Sequence, residues 1–332
     1  MMRRLACLVA ATAALAAAPA HAEQLAIAQY GITAGGWPYT IALERGFFRE
    51  EGLNITGIIS SQGGGTSLRN MLAGDVVYGE ANPGAIVVAN QQGAGLKIIS
   101  DNTISVADLV WVARPGSPIR TIADLRGRSI GYTNPRSTTQ ALAFLMLEAG
   151  HLRQEDVRLV RTGGFGEGLA AMQNGLIDVT PVGEPLLAEW RSRVQIVVDG
   201  RDVLPVLANV VGLTTEEGAR RHGDFLRAVL RARRKAVQFL YANPEESAAI
   251  VARSHNMALD VVRAAVRNLV EFRQQGFPYF SEGRFNVEGM RRMVDVQRMI
   301  GALDGEANLM SMIDMSFLPA DLQTPYTNPP QQ

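Results

Sequence analysis

The sequence is short of the residues that most covalent and metal chemistry needs. Its one cysteine, Cys7, lies inside an N-terminal apolar run, so a chain that has lost that run carries no thiol. Disulfides, cysteine-ligated metals and thiol nucleophiles are then excluded. The four histidines, His21, His151, His222 and His255, stand apart at no metal-ligand spacing. No Ser-His-Asp set and no metal cluster can be assembled, so no catalytic residue, metal or cofactor is expected. Excess charge is missing too: Lys and Arg number 32, and so do Asp and Glu. That balance lacks the local basic footprint of a nucleic-acid binder. Nor is there a long apolar run. Leu5 to Ala18 covers 14 residues, short of the roughly 20 that span a bilayer.

What is present at the start is an address. Arg3 and Arg4 precede the apolar run, and Ala20-His21-Ala22 supplies small residues for cleavage before Glu23. This is the pattern of a secretory signal, residues 1–22, and predicts export to the periplasm with no membrane insertion after cleavage. Cys7 stands too near the start to be a lipid-modified cysteine. The remaining 310 residues, numbers 23–332, suffice for two domains with separate cores. Loss of Arg3 and Arg4 leaves 30 basic side chains against 32 acidic, a nearly neutral chain.

Strand and helix signals then alternate. Leu25 to Tyr30, Ile55 to Ser60, Val76 to Ala81 and Leu96 to Ser100 read as short strands. Tyr39 to Arg45, Ser67 to Ala73 and Pro83 to Gln92 read as the intervening helices. The turn-rich Arg114-Pro115-Gly116-Ser117-Pro118 reads as a linker. After it come strands near Ser129 to Tyr132, Val157 to Arg161, Ile177 to Val182 and Val194 to Val198, with helices at Thr138 to Glu148, Gly166 to Asn174 and Pro185 to Arg191. The alternation predicts α/β domains with largely parallel sheets. Beyond Leu204-Pro205, long amphipathic helices follow at Phe225 to Tyr241, Glu245 to Ser254, Leu259 to Phe272 and Val287 to Ile300, wrapping back over the first domain. Arg227, Arg231, Arg233, Arg234 and Lys235 fall at helical spacing and predict a solvated face.

An internal echo ties the halves together. Gly63 to Pro83 and Gly163 to Pro185 share a Gly-rich turn, a short helix, a small-residue-Gly stop, an Asp-Val strand, Gly-Glu and Pro. Each half thus ends a strand on a glutamate, Glu80 or Glu184. Ligands of open α/β sheets bind outside the carboxyl ends of the strands, so two such ends facing each other would make a cleft. Helix starts at the same ends carry hydroxyls and amides: Asn134, Ser137, Thr138 and Thr139 in one half, "GGGTS" (Gly63 to Ser67) in the other. They serve as caps, or join the free backbone N–H groups in holding an anionic group. Trp37, in the Gly35-Gly36-Trp37-Pro38 loop, either stacks on a ligand or staples the first helix to the core.

The order "AxxxGFFxxEGL" (Ala42 to Leu53), "GGGTS…LAGDV", "IADLRGRSIGY" (Ile122 to Tyr132), "MQNGLIDV" (Met172 to Val179), "ANPEESAAIVA" (Ala242 to Ala252) and "FSEGRFNVEGMRRM" (Phe280 to Met293) resembles the periplasmic binding proteins of ABC importers. The similarity is greatest to the class that takes up nitrate, taurine, aliphatic sulfonates and thiamine-pyrimidine precursors, and it covers nearly the whole chain after residue 22. The resemblance implies a type II-like bilobal fold: lobe 1 from residues 23–114, lobe 2 from 115–204, and a return to lobe 1 over 205–332 with C-terminal helices packed on it. It implies a monomer that captures a small solute by lobe closure and delivers it to a membrane permease with a cytoplasmic ATPase. By position it implies a pocket of Thr33, Trp37, Gly64, Gly65, Thr66, Ser67, Glu80, Asn82, Asn134, Ser137, Thr138, Gly183 and Glu184. Two inward glutamates would repel a bare anion in a poorly solvated cleft and favour a nitrogen-containing or zwitterionic solute, such as a pyrimidine precursor or an amino-sulfonate. Glutamates turned outward, or paired with Arg136 or Arg161, would leave an anion open. Two other readings use the same fold: an exported sensor that docks on a receptor, and a thiamine-pyrimidine-related enzyme. The enzyme of that resemblance uses an iron-associated cysteine cluster and a histidine; the chain after residue 22 has no cysteine, and no histidine sits in a candidate pocket segment.

Overall fold

The computed structural model describes residues 23–61, 64–73, 76–106, 108–271 and 273–327. The expected signal segment, residues 1–22, lies outside them, as does Phe272. In the first half of the chain, strands β1 (Glu23–Ala28), β2 (Ile55–Ser61), β3 (Tyr78–Ala81) and β4 (Leu96–Thr103) alternate with helices α1 (Trp37–Glu44), α2 (Gly64–Ala73) and α3 (Pro83–Gln91). Leu25, Ala26 and Ile27 of β1 are fully buried, the continuous apolar run of a strand covered on both faces. The chain then crosses to β5 (Val110–Ala113), β6 (Ser129–Tyr132), β7 (Arg158–Arg161), β8 (Val179–Val182) and β9 (Gln195–Asp199), with helices α4 (Thr138–Ala149), α5 (Phe165–Gln173) and α6 (Leu186–Trp190). It crosses back into β10 (Val210–Thr215). Helices α7 (Gly223–Ala242), α8 (Pro244–Ser254) and α9 (Leu259–Glu271), an edge strand Phe280–Gly283 and α10 (Val287–Met299) follow.

Two sheets result. The first has the order Phe280–Gly283, β4, β10, β3, β1, β2, and the second β7, β6, β8, β5, β9. In the first, β1 is parallel to β2 and β3, whereas β10 runs antiparallel to both β3 and β4. In the second, β6 is parallel to β7 and β8, whereas β5 runs antiparallel to both β8 and β9. The expectation of largely parallel sheets therefore needs correction: the edge strand Phe280–Gly283 is antiparallel to β4, and a second departure occurs in both sheets. A strand that enters from the other sheet lies reversed in the middle of each. Val110–Ala113, expected at the end of lobe 1, is one of these strands and belongs to the second sheet. The two crossing segments run side by side, with Asn209 N donating to Thr103 O at 2.7 Å.

Helix α7 buries Leu226, Val229, Leu230, Val237 and Leu240, the three-to-four-residue spacing of one helical face. Each such side chain contributes about 1.5–3 kcal/mol. Its face joins α1 and β1 in a single core, and Pro244, at the first position of α8, ends it. The expected solvated basic face holds only in part. Arg231, Arg234 and Lys235 meet Glu51, Glu282, Asp321 and Glu50 at the surface, but Arg233 is 1% exposed. Its guanidinium donates to Ser281 O and Asn102 O, both at 2.7 Å. Helix α10 is shared: Met290 and Val294 join the first core, while Met293 and Val296 join the second with Leu142 and Met146 of α4.

Candidate solute cleft between the two sheets

Where the strand ends of the two sheets meet, a cavity of about 90 Å³ is lined from both sides. The first sheet and its turns supply Ala28, Gln29, Thr33, Gly35, Glu80 and Thr103. The second half supplies Thr133, Ser137, Thr138, Thr139 and Phe165, and the crossing segments supply Asp108, Leu109 and Asn209, with Tyr279 beside them. No Arg, Lys or His is among the lining residues. A larger groove of about 990 Å³ runs along α7 and residues 321–327. It lies away from the strand ends, and its Arg234 is already held by Glu282 and Asp321.

The second-lobe wall is the start of α4. Ser137 caps the helix, its Oγ accepting from Gln140 N at 3.3 Å, which satisfies one otherwise free amide. Thr133 Oγ1 donates to Ser137 Oγ at 3.1 Å and lies 2.8 Å from Thr139 Oγ1. These hydroxyls and the positive end of a 12-residue helix give that wall its donors. Thr138 Oγ1 reaches Asn209 O at 3.4 Å.

The first-lobe wall includes a buried polar cluster. Glu80 is 2% exposed; its Oε1 accepts from Tyr39 Oη at 2.7 Å and Asn102 Nδ2 at 2.6 Å. Tyr78 Oη lies 2.7 Å from Tyr39 Oη and accepts from Asn102 Nδ2 at 2.9 Å. Burial pushes the Glu80 carboxyl up, while nearby Arg233 and its two donors oppose the shift.

Of the residues expected in the pocket, Thr33, Glu80, Ser137 and Thr138 line the cavity. Trp37 does not. It is 1% exposed and, as the first residue of α1 ahead of Pro38, packs in the first core, the stapling role rather than the stacking one. Ser67 Oγ donates to Ala26 O at 3.1 Å, tying α2 to β1. Gly64 and Gly65 open α2, a Cβ on Gly65 would stand 3.7 Å from Pro135 O across the cleft, and Thr66 Oγ1 accepts from Arg69 at the surface. Asn82 caps α3 and donates through Nδ2 to Arg136 O at 2.6 Å, bridging the lobes. Asn134 bonds within its own lobe to Gly163 O and Arg161. Gly183 makes room for Asp108, whose Oδ2 would lie 2.9 Å from a Cβ there.

Glu184 takes a separate place. Its Oε1 accepts from Asn268 Nδ2 at 2.8 Å and its Oε2 from Ala188 N at 3.1 Å, while its carbonyl accepts from Ala34 N at 3.1 Å. It joins the lobes and lines a neighbouring cavity of about 330 Å³ with Asp108, Arg191, Asp199, Arg201 and Asn268. Burial raises its carboxyl as well. Neither glutamate pairs with Arg136 or Arg161.

Asp108 is the cavity-lining carboxylate that pattern reading missed. It lines both cavities and is 5% exposed. Tyr279 Oη donates to its Oδ2 at 3.0 Å, and Oδ1 has no partner among the described residues. Burial, with a smaller contribution from Glu184 and against the Tyr279 bond, pushes its pKa up to about 7.

Two α/β lobes joined by paired crossings, with a polar cavity between facing strand ends, define the periplasmic binding protein fold. The chain belongs to the NMT1/THI5 like family, whose model matches residues 36–247. Its fold is similar to that of the alkanesulfonate-binding protein SsuA from Xanthomonas axonopodis pv. citri bound to MOPS, with a TM-score of 0.75, 16% identity, and 90% of this chain and 99% of that one covered. Among curated proteins, it is 26% identical over 161 residues to an Escherichia coli (strain K12) protein named for binding aliphatic sulfonates, covering 47% of this chain and 48% of that one. It is 22% identical over 217 residues to the riboflavin-binding protein RibY of Chloroflexus aurantiacus, covering 63% and 60%. These alignments thus span about half of the one relative and three-fifths of the other. The desulfurization enzyme DSZB shares the fold, with a TM-score of 0.61, 15% identity, and 89% of this chain and 97% of that one covered.

Proposed function

We propose that this protein is the solute-binding component of an ABC import system, working in the periplasm and delivering its ligand to a membrane permease. The ligand is a small organic solute bearing nitrogen, cationic or zwitterionic, and it is bound without being transformed. One observation carries the ligand class: the interlobe cavity presents the carboxyls of Glu80 and Asp108 and no basic side chain. A bare inorganic anion there would meet neutral donors and the α4 terminus but no compensating cation. That positive end, worth about 0.3–1 kcal/mol per favourable charge, is too weak to offset two buried carboxylates. A solute with an ammonium or aminopyrimidine end and an acceptor at the α4 hydroxyls satisfies both walls. Ligand contacts from both lobes would then favour the closed form, which the permease reads.

The family and fold support this reading, as do the sulfonate- and riboflavin-binding relatives. Among the described residues no helix is long and apolar enough to cross a membrane, and no group of three or more His, Cys, Asp or Glu side chains is placed to hold a metal. Calorimetry against nitrate, alkanesulfonates, amino-sulfonates and aminopyrimidines tests the proposal. Saturable binding is expected only from nitrogen-bearing organics; tight nitrate binding with no response to amines or aminopyrimidines would overturn it.

A further inference from the structure

A carboxyl group with two cavities against it and one side-chain donor is an unfinished contact. Asp108 sits on the crossing between the lobes, where it forms part of the wall of the 90 Å³ cavity and of the 330 Å³ cavity. An ionised carboxylate offers about four acceptor sites, and among the described residues the Tyr279 hydroxyl is the one side-chain donor to it, with a smaller contribution from its own backbone amide. No cation lies within ion-pair distance of it among the described residues. The arginines of the outer cavity stand elsewhere: Arg201 is paired with Asp199, and Arg191 is exposed. A buried carboxylate left in this state is costly unless a proton or a cation completes it. Glu80 lacks the same vacancy, because Oε1 already takes two donors and Arg233 lies behind the cluster.

The inner cavity is also smaller than the roughly 300–1,000 Å³ usual for small-molecule sites, whereas the outer one reaches that range. A solute that extends from one into the other would pass Asp108.

We infer that Asp108 is the specificity-determining residue of the cleft: its carboxylate receives the cationic nitrogen of the solute, an ammonium or amidinium, at the junction of the two cavities. This deepens the solute-binding reading and rests on it. Binding is coupled to protonation. A cation requires the ionised form of Asp108, so affinity is full above the raised pKa and falls as pH drops through it, by about tenfold per pH unit. The groups facing Asp108 are Tyr279, which donates to it, Glu184, which disfavours its ionised form, Glu80 across the inner cavity, and Asp199, Arg191 and Arg201 across the outer one.

The test needs no knowledge of the natural solute. Methylammonium is titrated into the full exported protein carrying ¹³C-labelled aspartate, with methanol as the uncharged control, and the Asp108 carboxyl resonance is followed by NMR. At alkaline pH a saturable shift is expected with methylammonium and none with methanol, and the apparent affinity should fall at least tenfold by mildly acidic pH. Asp108→Asn, which keeps the shape and removes a buried charge, should abolish methylammonium binding by calorimetry while the fold persists. Glu189→Gln, at an exposed position that lines neither cavity, should retain it. Absence of saturation by roughly 0.1 M, an equal response to methanol, or unchanged binding in Asp108→Asn would overturn the assignment. Should the panel of candidate solutes fail while methylammonium still titrates Asp108, this assignment stands and the import ligand class falls.

Discussion

The two lobes are built to one plan and use it differently. In each, the order of strands is second, first, third, a reversed visitor, fourth; β2-β1-β3-β10-β4 in one matches β7-β6-β8-β5-β9 in the other. Trp37 and Thr138 are then counterparts, each the first residue of the helix after its sheet's leading strand. One is sealed in the core; the other faces the cavity. Glu80 and Glu184 are also counterparts, at the ends of β3 and β8. Glu80 lines the inner cavity from within a buried network, whereas Glu184 clips the lobes together through Asn268 and Ala34. A shared topology fixes where a side chain starts; its neighbours decide whether it becomes filler, ligand contact or clasp.

Breaking this symmetry residue by residue should give a graded series. Trp37→Ala should cost about 3–5 kcal/mol of stability by urea unfolding, as for a large core aromatic, whereas Thr138→Ala should leave stability within about 1 kcal/mol and lower solute affinity. An intermediate effect is expected from pH. Burial raises the Asp108 carboxyl to about 7, above its unfolded value, so the folded state prefers the protonated form. Stability of the unliganded protein should therefore fall as pH rises from about 4 toward 7, by on the order of a few kcal/mol from this group, and Asp108→Asn should flatten that slope in thermal melts. Next, Glu80→Gln should cost about 1–3 kcal/mol, because the amide oxygen that then accepts from Tyr39 and Asn102 makes weaker bonds than a carboxylate and its Nε2 brings new donors into a buried site. Glu184→Gln, which loses one acceptor at the lobe boundary, should instead shift the open–closed balance, read by small-angle scattering. A similarly small effect belongs to Ser137→Ala, about 1 kcal/mol for a lost helix cap, with weaker solute binding in calorimetry.

Much of the architecture was legible in the sequence because apolar periodicity and Gly/Pro punctuation are local signals. The strands and helices of both halves, the late amphipathic helices and the family pattern all follow from them. The two reversed strands did not. Val110–Ala113 stands immediately before a turn-rich segment and reads as its approach, and Val210–Thr215 stands between a Pro-containing crossing and a long helix. Their pairing partners lie far away in the chain, where no local pattern reaches. Of the cavity lining, Thr33, Glu80, Ser137 and Thr138 could be read from strand ends and helix starts. Asp108 could not: in "SVADLVWVA" (Ser105 to Ala113) it is a lone acid in an apolar run. Only the crossing of the lobes puts a cavity on either side of it. Arg233 misled for the opposite reason, since helical spacing cannot tell which of five basic residues turns inward to two backbone carbonyls.

The reversed strand in each sheet also bears on the order in which the protein can be finished. The first sheet lacks its middle member until residues 210–215 have been delivered, after the whole second lobe. A chain emerging N-terminus first would thus hold an unclosed first lobe, with β3 and β4 waiting for β10, throughout most of its passage. Completion of that lobe is a late event, and it fastens the second lobe in place at the same moment.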